Sequence, residues 1–142
     1  MMRIAAFALL LLSAPSIATA QDSFIVSGIC RIPGPGKLYV FLVGEGQFAT
    51  PMSGRRSSVI DLSGPSSGTR EIAFSFIVPA GEYGIRCFLD VNGNGELDRG
   101  LLGPSEPWGM SWRRKRPARI PIFSDISFRV DMDTACPAIV LK

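Results

Sequence analysis

Histidine is absent from all 142 residues, and that absence removes a good deal of chemistry. Serine–histidine and cysteine–histidine nucleophile systems need an imidazole base, and histidine-ligated zinc needs an imidazole ligand. No apolar run reaches the roughly 20 residues that a membrane-spanning helix requires. A large excess of one charge is missing too: 15 basic and 12 acidic residues leave a net of +3. That balance demands no polyanionic partner, and nucleic acid is not expected. Helical periodicity is lacking from residue 21 onward, so a helical bundle is excluded. Only three cysteines are present, Cys30, Cys87 and Cys136, which is too few for a disulfide-dense scaffold.

What is present begins with an address. Met1, Met2 and Arg3 precede an apolar run of nine residues, Ile4 to Leu12, and the helix-breaking Pro15 follows. Ala18-Thr19-Ala20 then meets the small-x-small preference of a signal-peptide cleavage site. Residues 1–20 are expected to be a signal peptide, Gln21 the mature N-terminus, and the destination periplasmic or secreted. The remaining 122 residues (142 − 20) are long enough for one domain with its own core. In an oxidising compartment two of the cysteines can pair. Cys30–Cys136 would close a long loop and leave Cys87 as a core thiol; Cys30–Cys87 is the competing pairing, and spacing does not decide between them.

Glycine (15) and proline (11) punctuate short alternating segments. Phe24 to Ile32 is rich in β-formers and ends at Pro33-Gly34-Pro35-Gly36. Lys37 to Val43 is apolar on both faces, as a central strand would be. Ser57 to Leu62 is a shorter candidate. Ile72, Phe74, Phe76 and Val78 share one face of a strand, and Tyr83, Ile85, Cys87 and Leu89 share one face of the next. Ile120 to Val130 and Ala138 to Leu141 complete the set. About seven strands with period-two alternation predict an all-β antiparallel sandwich of transthyretin or immunoglobulin-like type.

The segment with the most chemistry is Asp90 to Asp98 (DVNGNGELD). Oxygen-bearing side chains recur at Asp90, Asn92 and Asn94, Gly95 supplies a sharp turn, and Asp98 holds the ninth position of an EF-hand-type register. Glu96 would offer its backbone carbonyl at the seventh. Calcium takes six to eight hard oxygen ligands, and this spacing converges several on one point. The twelfth position is Leu101, so the usual bidentate glutamate is missing, and Glu106 is the first candidate to replace it. With only Asp90 and Asp98 charged among the core ligands, affinity is expected at roughly 10⁻⁴ to 10⁻³ M. The competing reading is a metal-free turn, which Asn-Gly-Asn-Gly also suits.

From Gly81 to Phe128 the chain resembles an uncharacterised family of exported bacterial proteins, a domain of unknown function. The residues that carry the resemblance are Gly81 and Tyr83; Asp90, Asn92, Asn94, Gly95 and Asp98; Gly103, Pro104, Glu106, Gly109 and Ser111; and Pro121 with Phe123. The hairpin Phe76 to Tyr83 also resembles that of prealbumin-like modules. The resemblance implies a periplasmic or secreted β-sandwich and no established activity. Trp112 to Arg116 departs from it, where a small polar residue is more usual after Ser111.

A second possible surface is Trp108 and Trp112 followed by the basic run Arg113 to Arg116. Together they could bind a glycan or an acidic polymer; the alternative is a solvated loop with both tryptophans capping the core. The acid pair Glu96 and Glu106 is the remaining catalytic option, but nothing places it about 5–10 Å apart across a cleft. The sequence therefore predicts a non-catalytic, calcium-binding exported sandwich whose partner is an envelope protein or glycan.

Overall fold

In the computed structural model, residues 21–50, 56–65 and 68–142 are described. The expected signal segment, residues 1–20, lies outside them. Two sheets face each other, as in a sandwich. The first is built on β1 (Ser23–Ile32), which pairs antiparallel with β4 (Arg70–Pro79) over its whole length. The second has the order β3–β2–β5–β8, from β2 (Lys37–Val43), β3 (Arg56–Asp61), β5 (Gly81–Asp90) and β8 (Trp108–Met110). A short β9 (Phe128–Val130) also pairs with the start of β5. Between β5 and β8 a small hairpin projects, made of β6 (Arg99–Gly100) and β7 (Gly103–Pro104).

The alternating faces end up where the apolar pattern puts them. Val26, Cys30 and Ile32 from β1 and Phe74, Phe76 and Val78 from β4 meet Leu38, Val40 and Leu42 from β2 and Tyr83, Ile85, Cys87 and Leu89 from β5. Lys37 to Val43 is indeed buried on both sides. Its other face, with Phe41 and Val43, joins Phe88 and Ile126 in a second cluster on the outside of the sheet. Phe48 from the one-turn helix α1 (Glu45–Phe48), Leu97, both tryptophans and Phe123 pack over that cluster. Burying both faces of β2 and β5 makes this sheet the rigid platform from which the Asp90 loop springs.

One expectation needs correction. Ile120 to Val130 is not one strand, since only Phe128–Val130 is extended. A 3₁₀ turn at Phe123–Asp125 precedes it, where the Asp125 carboxylate accepts the Ile122 N–H at 2.9 Å and a bidentate bond from Arg119. That local side-chain competition breaks the ladder. The expected all-β sandwich with antiparallel sheets is what the chain forms, and it carries a parallel addition at one edge. The C-terminal strands β10 (Thr134–Ala135) and β11 (Ile139–Val140) both run parallel to β1. In this structure none of the three cysteines is paired.

Candidate functional site

Strand β5 delivers Asp90 to its end with its carboxylate almost fully buried, 1% exposed. The buried carboxylate is satisfied by the loop it starts: Oδ1 accepts the Gly93 N–H at 2.6 Å and Oδ2 the Gly95 N–H at 2.9 Å. Both glycines have positive φ, 79° and 80°, the conformation that folds these amides back toward Asp90. The next two polar residues each close a turn on their own backbone. Asn92 Oδ1 accepts the Asn94 N–H at 3.0 Å, and Asn94 Oδ1 accepts the Glu96 N–H at 2.9 Å. Their amide groups both donate to Asp98, at 2.5 Å from Asn92 and 3.0 Å from Asn94. Asn92, Asn94 and Asp98 are thus brought together, while the Glu96 side chain is exposed.

Glu106 lies against the same loop, 8% exposed, but both its oxygens are directed at main chain. Oε1 accepts the Val91 N–H at 2.8 Å and Oε2 the Asp98 N–H at 3.3 Å. It therefore clamps the two ends of the loop, and the Ser105 N–H adds a bond to the Asp98 carbonyl at 2.9 Å. Among the described residues, no three histidine, cysteine, aspartate or glutamate side chains stand together as a metal-holding group. Any cation here would depend on the amide and peptide oxygens beside Asp90 and Asp98. Such a donor set is hard and all-oxygen, which fits calcium and not a thiophilic metal.

The supports of the loop account for the remaining residues of the sequence pattern. Tyr83 turns its ring back over Gly81, where a Cβ would come within 3.2 Å of it, and donates to the Pro79 carbonyl at 2.9 Å. This ties the β4–β5 turn down, so Gly81 and Tyr83 act as one unit. Gly103 takes φ 120° in the β6–β7 turn. Gly109 allows close approach of the other sheet, since a Cβ there would lie 2.7 Å from Ile139. Ser111, buried, accepts the Ile85 N–H at 2.8 Å and donates to the Ile126 carbonyl at 2.8 Å, fastening the covering segment to β5. Phe123 packs on the outer cluster.

Residues 33–136 match the family described as uncharacterized proteins conserved in bacteria, DUF2141. The chain belongs to that family. The match spans the Asp90 loop, its clamp Glu106, both tryptophans, Gly109 and Ser111. No curated protein and no solved structure matches the chain. Among the described residues no helix is long and apolar enough to cross a membrane.

The tryptophans do not form an open platform. They meet edge to face at 6.2 Å, and the Arg116 guanidinium covers the Trp108 ring at 4.4 Å from its centroid. Both pack on the outer cluster, whereas Arg113 to Arg116 are exposed. One residue that the sequence reading missed is Arg86. Its guanidinium donates to the Phe48 and Thr50 carbonyls at 2.9 and 2.8 Å, anchoring α1 to the second sheet. Partial burial, with Arg99 nearby, lowers its pKa from the ordinary arginine value. Only a charge in an apolar strand pattern could have flagged it.

Proposed function

We propose that this protein is an exported, non-catalytic β-sandwich whose Asp90–Asp98 loop binds calcium, and that it serves a structural or interaction role in the bacterial envelope or outside the cell. The observation that carries the reading is the buried Asp90 carboxylate. It organises the loop amides so that Asn92, Asn94 and Asp98 converge beside it. Each asparagine oxygen that accepts one N–H keeps a second lone pair. A divalent cation entering among them would replace the two amide donors now facing Asp98. The peptide carbonyl of Glu96 is the further ligand in this register, and Glu106 acts by holding the loop closed. Export rests on the N-terminal pattern, and the absence of catalysis on the missing histidine.

Calcium that binds only the folded state stabilises it by about 1.4 kcal/mol at ten times Kd. Melting curves in calcium and in excess chelator measure this, with magnesium as the control for ionic strength. Identical midpoints in calcium and chelator would sink the metal assignment.

A second reading, binding of an acidic polymer, is favoured by the four adjacent exposed cations at Arg113 to Arg116. It loses its aromatic half, because Trp108 and Trp112 are used for packing. A lipopolysaccharide pull-down with the four-alanine variant separates it from the calcium reading.

A further inference from the structure

Cys30 lies on β1 and Cys87 on β5, in opposite sheets of one core, 0% and 3% exposed. Their strand neighbours bring those sheets together. Cys30 is paired with Ile139 on β11, and Cys87 with Gly109 on β8. Next to these pairs the sheets are joined by main chain: Trp108 N–H donates to the Lys142 carbonyl, and Lys142 N–H to the Trp108 carbonyl, both at 3.2 Å. Gly109, having no Cβ, lets Ile139 press against β8. Along this seam the sheets converge, in place of the ~10 Å separation of open sheet faces. Cys30, Ile139, Gly109 and Cys87 form one layer around it. The Cys87 thiol approaches the Gly109 carbonyl at 3.5 Å, within that layer. Cys136 is placed differently, half-buried, with its sulfur filling the space above Gly28, 2.5 Å from where a Cβ would stand.

We propose that Cys30 and Cys87 pair as an inter-sheet disulfide when the chain folds in an oxidising compartment, leaving Cys136 as the unpaired thiol. The compartment rests on the export reading above; the pairing does not. The oxidant is a disulfide, either oxidised glutathione or a dithiol oxidase in its disulfide form. The thiolate of one cysteine attacks that disulfide, forming a mixed disulfide and expelling one oxidant sulfur as thiolate. The thiolate of the second cysteine then attacks the first cysteine's sulfur, forming the Cys30–Cys87 bond and expelling the other oxidant sulfur. Two thiol protons are released, the cysteines lose two electrons and the oxidant gains them. The reaction belongs to folding. Once the core closes, burial and the neighbouring sulfurs raise the Cys87 thiol well above its ordinary range, and burial pushes Cys136 up to about 11. In the folded, reduced protein Cys87 and Cys136 are thereby held as thiols and not as nucleophilic thiolates.

The test compares the full chain exported through its own first 20 residues with the same chain refolded from denaturant in a glutathione redox buffer. Alkylation under denaturing conditions counts free thiols, and non-reducing peptide mass mapping locates the bond. One free thiol and a Cys30–Cys87 peptide are expected in both preparations, and Cys136→Ser should keep the bond with no free thiol. Reduction should lower Tm on the order of 10 °C in wild type and Cys136→Ser, whereas Cys30→Ser should not respond. Three free thiols in both preparations, or a cross-link that contains Cys136, overturns the proposal. The bond in the refolded chain with three thiols in the exported one upholds the pairing and rejects the export reading.

Discussion

Replacing Asp90 separates the loop's architecture from the proposed calcium binding. The carboxylate is buried and accepts two loop amides at 2.6 and 2.9 Å, so Asp90→Ala orphans both donors and leaves a void at the end of β5. Hydrogen bonds to a charged acceptor contribute about 1.5–3 kcal/mol each, which makes the loss about 3–6 kcal/mol without any calcium. Stability for the 122 residues from Gln21 is about 6–18 kcal/mol on a per-residue basis, so the variant folds but is visibly weakened. Asp90→Asn keeps one oxygen acceptor and should lose about 2 kcal/mol. Urea titration followed by tryptophan fluorescence reads both, with a midpoint shift of roughly 2 M for alanine. Repeating it with calcium should stabilise wild type and neither variant. A loss below about 1 kcal/mol for Asp90→Ala in chelator would refute the claim that this carboxylate holds the loop. A calcium response that survives in Asp90→Asn would place the ion elsewhere.

The remaining predictions concern the supports. Ser111→Ala removes the acceptor for the buried Ile85 N–H and should cost about 1–3 kcal/mol in chemical denaturation. Gly109→Ala drives a methyl toward Ile139 and the Val140 carbonyl, and should lose about 1–3 kcal/mol with faster amide exchange at Trp108 and Lys142. The Arg119 hydrogen bonds hold the Asp125 carboxyl below its ordinary 3.8. Because that folded-state pKa is depressed, the pair's contribution is present above 3.8 and is lost as pH falls through the lower folded value. Arg119→Ala should return the Asp125 titration, followed by carbon-detected NMR, toward 3.8.

The sheet-forming half of the molecule was legible because its signal is local. Ile72, Phe74, Phe76 and Val78, and Tyr83, Ile85, Cys87 and Leu89, recur at every second position and face the core. The doubly apolar Lys37–Val43 also announced a strand with two buried faces. The Asp90 loop was readable as a loop, but not the division of labour inside it. Spacing alone makes Glu106 look like a sixth ligand, whereas its oxygens reach two amides that only the folded backbone brings near. Ile120 to Val130 was misread because Asp125 and Arg119 form a turn that an alternation count does not see. The parallel return of β10 and β11 beside β1 was illegible for a different reason: register between chain ends more than 100 residues apart leaves no periodic trace.

That return sets the order in which the fold can be completed. β1 is near the start of the chain, and both strands on its far edge are near the end. The first sheet therefore stays one-sided until the final residues, Thr134 to Lys142, arrive. Until then Val26 and Cys30 lie beside an open edge, and nothing closes the seam at Trp108. A chain released from its C-terminal end last cannot finish this core early, and non-local pairings of this kind fold slowly. Clipping the last nine residues should thus act less like trimming a tail than like holding the whole sandwich at its penultimate step.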